Sequence, residues 1–165
     1  MNEMETVVRK SSDSRQRAGF TLVELVITVL IMGILAAVAA PKFADSLSRF
    51  RVEAAAKRVA ADLQLARREA QSGSASRTVQ FNFPGLDRYT LVGMQDLNHP
   101  NQGYEIDLAG APYFSFIVSV NFGGDADVIL YGYGTPDSGG TVVVESGGHQ
   151  ATIGVDADSG KIKIQ

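Results

Sequence analysis

An uninterrupted apolar run with one carboxylate near its start is the feature that most limits how this chain folds. The run extends from Phe20 to Ala40, and Glu24 is its single charged side chain. As an α-helix it is about 31 Å long, enough to cross the hydrocarbon core of a bilayer. An ionised side chain in such a segment costs free energy unless it has a partner. The run therefore predicts a transmembrane helix over residues 20–41 that carries a functional carboxylate.

A polar, basic segment precedes the apolar run. Its basic side chains are Arg9, Lys10, Arg15 and Arg17, and Asp13 is the acidic residue among them. By the positive-inside rule, this end is predicted to stay cytoplasmic and the chain beyond Pro41 to be exported. The apolar run is longer than the ~7–15 residues of a secretory signal peptide, so a membrane anchor is the better interpretation.

The two segments meet at Gly19-Phe20-Thr21-Leu22-Val23-Glu24. A glycine, an aromatic residue, Thr-Leu and a glutamate at this spacing resemble the N-terminal signal of bacterial type IV pilins and type II secretion pseudopilins. The resemblance implies that a prepilin peptidase removes residues 1–19 as a leader, cutting after Gly19, and methylates the new N-terminus, Phe20. It also implies that Glu24 acts in filament assembly. A plain single-pass anchor that tolerates a glutamate is the alternative, but it does not explain why the charge follows Gly-Phe.

Two residues in this helix are poor helix formers, Gly33 and Pro41. A proline inside a helix removes one hydrogen bond and crowds the preceding turn, so a bend or local melting is expected near residues 37–41. In pilin-like proteins a glycine and a proline at these places bracket a segment that unwinds in the filament. The resemblance implies this role for Gly33 and Pro41, and a proline that merely ends a membrane helix is the alternative.

The helical pattern continues through residues 42–72 and ends at Ser72-Gly73-Ser74. Apolar residues at spacings of three and four form two faces. The outer face is defined as Phe43, Leu47, Phe50 and Ala54, and the inner face as Val52, Ala56, Val59, Leu63, Ala66 and Ala70. We expect this amphipathic stem to pack its outer face on the stems of neighbouring subunits. The inner face is expected to pack on the chain's own sheet.

Beyond residue 73 the sequence alternates polar and apolar residues, which is typical of strands. Eight strands are predicted, at residues 77–83, 88–94, 104–108, 113–122, 128–131, 141–145, 150–155 and 161–164. Asp158-Ser159-Gly160 predicts a tight hairpin between the last two. No helical spacing interrupts the strands, so βαβ units are not expected. The predicted fold class is α+β, pilin-like: a long N-terminal helix, transmembrane in its first half, packed on an antiparallel β-rich periplasmic head over residues 73–165.

Several segments of the head sharpen the resemblance. The passage from residues 65–70 into Val79-Gln80-Phe81, the loop Gly134-Thr135-Pro136 and the closing stretch 160–164 are similar to the GspH/FimT group of minor pseudopilins and minor pilins. This implies a bacterial inner-membrane structural subunit, not an enzyme. Its partners would be the prepilin peptidase, other pilin or pseudopilin subunits, the inner-membrane assembly platform and membrane lipid.

Three functions remain open at this point. The first is a GspH-like minor pseudopilin of a type II secretion pseudopilus, which supports protein export. The second is a FimT-like minor type IV pilin for pilus assembly or DNA uptake. The third is an unrelated membrane-anchored β-domain.

Metal and cofactor chemistry has little support in the sequence. The chain has no cysteine, and its two histidines lack the spacing of a zinc site or a catalytic triad, so no cofactor is expected. Asp156-Ala157-Asp158 resembles the opening of a calcium loop, but no glutamate follows at the twelfth position. Asp125-Ala126-Asp127 is a similar pair. A hairpin turn is the better interpretation of both pairs, with calcium at Asp156 and Asp158 as the weaker one.

Charge is divided unevenly along the chain. Residues 42–69 carry seven basic and four acidic side chains, whereas residues 70–165 carry four basic and ten acidic ones. Lys161 and Lys163 are therefore weak candidates for DNA contacts within an acidic head, since few neutralised phosphates give only salt-sensitive binding. Nucleic acid is not an expected partner. Attraction between basic stems and acidic heads of staggered subunits is a further hypothesis, with solvated surface as its alternative.

Overall fold

A computed structural model describes residues 19–85, 87–96, 99 and 101–165. Within them the chain forms a helix, α1 (Leu22–Gly73), followed by eight strands. The strands are β1 (Arg77–Phe81), β2 (Arg88–Gln95), β3 (Gly103–Asp107), β4 (Phe116–Phe122), β5 (Asp127–Leu130), β6 (Gly140–Ser146), β7 (His149–Val155) and β8 (Ile162–Ile164). Residues 1–18 of the predicted leader, with their basic cluster, lie outside the described residues. The chain divides into two units between Ala40 and Pro41.

The first unit contains the apolar part of α1. Every side chain from Leu22 to Ala40 is exposed, and an 18-residue window of the helix has a mean hydropathy of 2.7. Among the described residues, α1 is the helix whose length and composition suit a membrane span. Apolar side chains exposed on all sides are unfavourable in water, and a helix satisfies its own backbone hydrogen bonds in lipid.

The second unit begins with the stem, which is the part of α1 from Pro41 onward. All six residues of the predicted inner face are buried, which confirms that this face packs against the head. Ala55 and Ala60 are buried beside them, and these small side chains let the helix lie close to the sheets. The helical spacing of three and four residues thus correctly located the face that enters the core.

The head contains two four-stranded antiparallel sheets. The first has the strand order β3-β2-β1-β5 and the second the order β4-β6-β7-β8. All eight predicted strands are present, and every pairing is antiparallel, so the expected absence of parallel βαβ pairing holds within the described strands. The fold is therefore α+β, with the stem packed on antiparallel sheets.

One hydrophobic cluster joins the stem to both sheets. Its sheet members are Val79, Phe81, Tyr89, Leu91, Tyr104, Val128 and Leu130 in the first sheet, and Ile117, Phe122, Val142, Val144, Ile153 and Val155 in the second. They occupy alternate positions on most of their strands, as expected where one face of a sheet is buried. Burying each such side chain contributes about 1.5–3 kcal/mol, so this cluster holds the stem on the head.

Several predicted strand ends are wrong, and for β4 the reason is a turn that precedes the strand. The strand predicted over 113–122 begins only at Phe116. The backbone N–H groups of Tyr113 and Phe114 instead donate to the carbonyl of Gly110, at 3.1 and 3.0 Å, and form a turn. The strand predicted over 77–83 likewise ends at Phe81, and Lys161 precedes β8.

The two hairpins of the second sheet differ in their loops. Gly147 and Gly148 connect β6 to β7 with φ values of 54° and 83°, as a two-residue type I′ turn requires. The predicted hairpin between β7 and β8 is confirmed. The Asp156 N–H donates to the Lys161 carbonyl at 3.0 Å and closes a loop of residues 157–160.

Candidate processing and assembly sites

The predicted cleavage site lies just outside α1. Gly19, Phe20 and Thr21 are not helical, and 83% of the Phe20 surface is exposed. The Thr21 carbonyl accepts the first helical hydrogen bond, from the Leu25 N–H at 3.1 Å. The Thr21 hydroxyl accepts a second, from the Glu24 N–H at 3.2 Å. The Gly19–Phe20 bond is thus part of a non-helical, accessible segment.

Glu24 lies in the first turn of α1, and its side chain is exposed. The N-terminus of a helix stabilises a nearby negative charge by about 0.3–1 kcal/mol, which offsets only part of the cost of a carboxylate in an apolar segment. The run from Phe20 to Ala40 contains no basic side chain. No side chain of this run can therefore supply a counter-charge for Glu24.

Gly33 and Pro41 both lie within α1, and the helix continues through residues 37–41. A Cβ placed on Gly33 would meet no atom within 4 Å, so no close approach explains this glycine in the single chain. The local melting expected near Pro41 is not present in the isolated chain. Melting in an assembled filament stays a prediction.

The outer face of the stem has no cover among the residues that the structure describes. Phe43 and Phe50 have 73% and 69% of their surface exposed, and Leu47 and Ala54 are exposed as well. Single exposed apolar residues are normal, but four on one helix face form a patch of the kind that marks an interaction site. The stem therefore has one apolar face in the core and one available to a partner.

A buried carboxylate, Asp62, ties the stem to the first sheet. Only 4% of its surface is exposed, and it accepts hydrogen bonds from the hydroxyls of Tyr89 and Tyr104, at 2.6 and 2.8 Å. Arg58, one turn earlier on α1, donates from Nε to Asp62 at 2.9 Å and from Nη2 to the Tyr104 hydroxyl at 2.8 Å. The network places one charge pair and two phenols where the stem crosses β2 and β3.

The electrostatics of this network favour the protonated forms of its three donors. Burial, followed by the charge of Asp62, raises the pKa of Tyr89 well above its usual range. Burial and the hydrogen bond to Asp62 raise the pKa of Tyr104 to about 12. Partial burial acts to lower the pKa of Arg58, but the adjacent carboxylate outweighs it and the pKa is raised. All three donors therefore keep their protons at neutral pH.

Two further sets of polar contacts connect the stem to the head, one near each end of the stem. Near Pro41, His149 Nε2 lies 2.6 Å from Asp45 Oδ1, and this hydrogen bond lowers the pKa of the Asp45 carboxyl. At the other end, Arg67 donates from Nε to the carbonyl of Gly134 at 2.7 Å and from Nη2 to that of Ser159 at 2.8 Å. Arg67 thus fixes the loop before β6 and the β7–β8 hairpin to the same helix.

An apolar patch on the edge strand β4 was not found from the sequence. Phe114, Phe116 and Val118 have between 41% and 54% of their surface exposed. The guanidinium of Arg51, on the stem, lies 4.6 Å from the centroid of the Phe114 ring, which is the geometry of a cation–π contact. Arg51 thus connects the stem to this patch.

The calcium candidates lie in loops of the head. Asp156 Oδ1 accepts from the N–H and the hydroxyl of Ser159, at 2.8 and 2.6 Å, and these bonds lower the pKa of Asp156. Asp156 Oδ1 therefore stabilises the turn by accepting both of these hydrogen bonds. Asp127 Oδ2 accepts from Gln80 Nε2 at 3.3 Å. Among the residues that the structure describes, no three histidine or acidic side chains cluster as metal ligands would.

The DNA candidates, Lys161 and Lys163, are exposed and border one shallow groove of the second sheet. Lys161 also borders a groove with Arg67 and Arg68 at the end of the stem. The basic cluster is therefore larger than the sequence analysis expected, since the fold adds two arginines that are more than 90 residues away. Arg67 already donates to two carbonyls. Arg68, Lys161 and Lys163 are therefore the side chains of this cluster that we consider for phosphate contacts.

Comparison with known proteins agrees with this architecture. Residues 14–40 match the model of the prokaryotic N-terminal methylation motif, and residues 55–160 match that of the type II transport protein GspH. No curated protein sequence matches significantly.

Two solved structures show the same fold. One is the type IV minor pilin FimU of Pseudomonas aeruginosa, 17% identical over 71% of this chain and 90% of that chain, with a TM-score of 0.54. The other is the minor pseudopilin EpsH from the type 2 secretion system of Vibrio cholerae, 14% identical over 70% of this chain and 96% of that chain, also with a TM-score of 0.54.

Proposed function

We propose that this chain, which belongs to the type II transport protein GspH family of minor pseudopilins and minor pilins, is a minor pseudopilin of a type II secretion pseudopilus. Members of this family are structural subunits rather than enzymes. The exposed apolar outer face of the stem carries the proposal, because it needs a helical partner that the chain itself does not provide. In this role the subunit joins the pseudopilus through its N-terminal helix and supports protein export.

The route to the filament follows from the N-terminal motif. A prepilin peptidase cuts after Gly19 and methylates Phe20. The apolar part of α1 anchors the subunit in the inner membrane, with the N-terminus cytoplasmic and the head periplasmic. From there the assembly platform moves it into the filament, where Gly33 and Pro41 bracket a segment that unwinds.

Glu24 has a specific part in this assembly. Its carboxylate pairs with the free amino group of Phe20, either its own or that of the neighbouring subunit, and so sets the axial register. Breaking a buried pair typically costs ~3–5 kcal/mol, which reduces incorporation by about two orders of magnitude or more. Glu24→Gln is therefore cleaved normally and fails to enter the filament. Recovery of the tagged variant with other subunits at the wild-type level would contradict this role.

The outer face is tested by a double substitution, Phe43→Ser with Phe50→Ser. Both side chains are exposed in the single chain, so the variant folds and is cleaved as the wild type is. It should be lost from filaments, as measured by cross-linking and pull-down with other pseudopilins. Tyr133→Ser is the matched control, since Tyr133 is 74% exposed on the head. Equal recovery of the double variant and the control would refute the proposed surface.

Deletion of the gene in its own bacterium distinguishes the two machines. For a pseudopilin, export of the secreted proteins falls, while twitching and DNA uptake continue. The wild-type gene restores export, and the Glu24→Gln gene does not. Loss of pili with normal secretion would instead assign the chain to the type IV pilus.

The FimT-like minor pilin is the second candidate, and the groove of Arg68 and Lys161 favours it. Binding of duplex DNA by the full chain, with an affinity that falls steeply between 50 and about 200 mM salt, would support this function. The variant Arg68→Gln with Lys161→Gln should then bind more weakly. Absence of binding at low salt would remove DNA uptake, and the gene deletion would still decide on pilus assembly.

A further inference from the structure

Thr21 has the geometry of a helix N-cap. It is itself non-helical, its carbonyl accepts from the Leu25 N–H, and its hydroxyl accepts from the Glu24 N–H at 3.2 Å. A Ser or Thr in this position satisfies one of the backbone donors that the first turn of a helix leaves unpaired. The hydroxyl bonds the backbone of Glu24, so the carboxylate of that residue remains available for a different partner.

The neighbouring residues fit the same motif. Thr21 and Glu24 are three positions apart, which is the Thr-x-x-Glu spacing of a capping box. Phe20 precedes the cap and Leu25 is the fourth helical residue, the two apolar positions of a hydrophobic staple. The sequence thus places a start signal for α1 two residues after Gly19.

A start signal is needed here because the preceding sequence does not oppose a helix strongly. Gln16, Arg17 and Ala18 are all good helix formers, and Gly19 alone disfavours helix by about 1 kcal/mol. If α1 extended upstream, the Gly19–Phe20 peptide would be inside a helix with its backbone groups paired. Proteolysis prefers exposed, non-helical chain.

We propose that Thr21 is a positioning residue for the cleavage after Gly19. By capping α1 it keeps the Gly19–Phe20 bond outside the helix, so that the peptidase meets an extended backbone. In the cleavage, water adds a hydroxyl to the Gly19 carbonyl carbon and a proton to the Phe20 nitrogen as the bond between them breaks. The inference rests on the proposed function, because that function supplies the cleavage.

The test compares three full-length precursors with the wild type in proteoliposomes containing purified prepilin peptidase. Thr21→Val replaces the hydroxyl by a methyl group, and Thr21→Asn restores a cap of different shape. Thr28→Val is the matched control, because the Thr28 hydroxyl donates to the Glu24 carbonyl at 2.6 Å inside the helix and caps nothing. The measurements are kcat/KM for cleavage and the hydrogen-exchange rate of the Leu22 amide, which gains a helical partner only if α1 extends upstream.

Thr21→Val should be cleaved about fivefold more slowly, and its Leu22 amide should also exchange about fivefold more slowly, because the helix then extends upstream and pairs that amide. Both changes correspond to the ~1 kcal/mol of a lost cap. Thr21→Asn restores both values, and Thr28→Val changes neither. The restored exchange rate separates capping from direct recognition of threonine by the peptidase.

Two results overturn the inference alone. One is a Thr21→Val precursor cleaved at the wild-type rate. The other is a Thr21→Asn precursor that is cleaved as slowly as Thr21→Val although its Leu22 amide exchanges at the wild-type rate. A wild-type precursor left uncut after Gly19 overturns the proposed function, and the inference with it.

Discussion

Replacing Asp62 by asparagine tests whether the buried network holds the stem on the head. The carboxylate accepts from three donors, which are Arg58 Nε and the hydroxyls of Tyr89 and Tyr104. Asparagine has nearly the same shape, but its NH₂ group cannot accept a hydrogen bond. At least one donor therefore loses its partner, and the charge that faces Arg58 disappears.

The magnitude follows from the burial of each partner. A hydrogen bond to a charged group contributes ~1.5–3 kcal/mol, and an unpaired buried donor costs ~1–3 kcal/mol. The Arg58 side chain is 34% exposed, so water replaces part of what it loses. We therefore expect the Asp62→Asn chain to lose about 2–3 kcal/mol of its free energy of unfolding, which lowers Tm by roughly 10 °C.

Urea unfolding of the detergent-solubilised chain measures this loss. The sequence has five tyrosines and no tryptophan, so tyrosine fluorescence reports partly on the network itself. Glu53→Gln is the matched control, because Glu53 pairs with Lys57 at 2.7 Å on the exposed side of the same helix. An exposed pair four residues apart contributes only about 0.3–0.5 kcal/mol. Equal destabilisation by Asp62→Asn and Glu53→Gln would refute the reasoning.

Three further predictions concern pH, a turn and the filament. Because the pKa of Tyr104 is raised from 10.0 to about 12, its contribution to the free energy of unfolding is complete below pH 10 and is lost as the pH rises to about 12. Urea unfolding at stepped pH should show this decrease in the free energy of unfolding, and Tyr104→Phe should make the decrease smaller. Gly147→Ala should destabilise the chain by about 1 kcal/mol more than Gly148→Ala in thermal unfolding, since both have positive φ but a Cβ on Gly147 alone meets the Ser48 side chain; equal effects would contradict the contact. Hydrogen exchange in the Gly33–Pro41 segment should be faster in filaments than in the membrane-embedded subunit, and equal protection would mean that the proline only bends the helix.

Periodicity in the sequence was enough to locate most of the fold. The inner face of the stem was predicted residue by residue, because a helix repeats its buried positions every three or four residues whatever it packs on. The strands were found from alternation, since one face of each sheet is buried. Their ends were less accurate: the start of β4 depends on the turn that Gly110 forms with Tyr113 and Phe114, which alternation does not encode.

The polar contacts between the stem and the head could not be predicted from periodicity. Asp62 is 27 residues from Tyr89 and 42 from Tyr104, and Asp45 is 104 residues from His149. An acidic residue on a helix rich in basic residues is typical of solvated surface, and only the packing of the stem on β2 and β3 shows that Asp62 is buried. A weak signal did exist, because Asp62 immediately precedes Leu63 of the inner face and follows Arg58 by one turn.

The ties at the two ends of the stem determine how the head carries mechanical load. The Asp45–His149 contact lies near Pro41, and the bonds of Arg67 lie at the opposite end of the stem. A helix pulled along its length while held at both ends loads its contacts in shear, so they resist together rather than breaking one after another. Forced unfolding is governed by the rate of unfolding, and a shared load raises its barrier. A head without disulfides can in this way withstand tension along a filament.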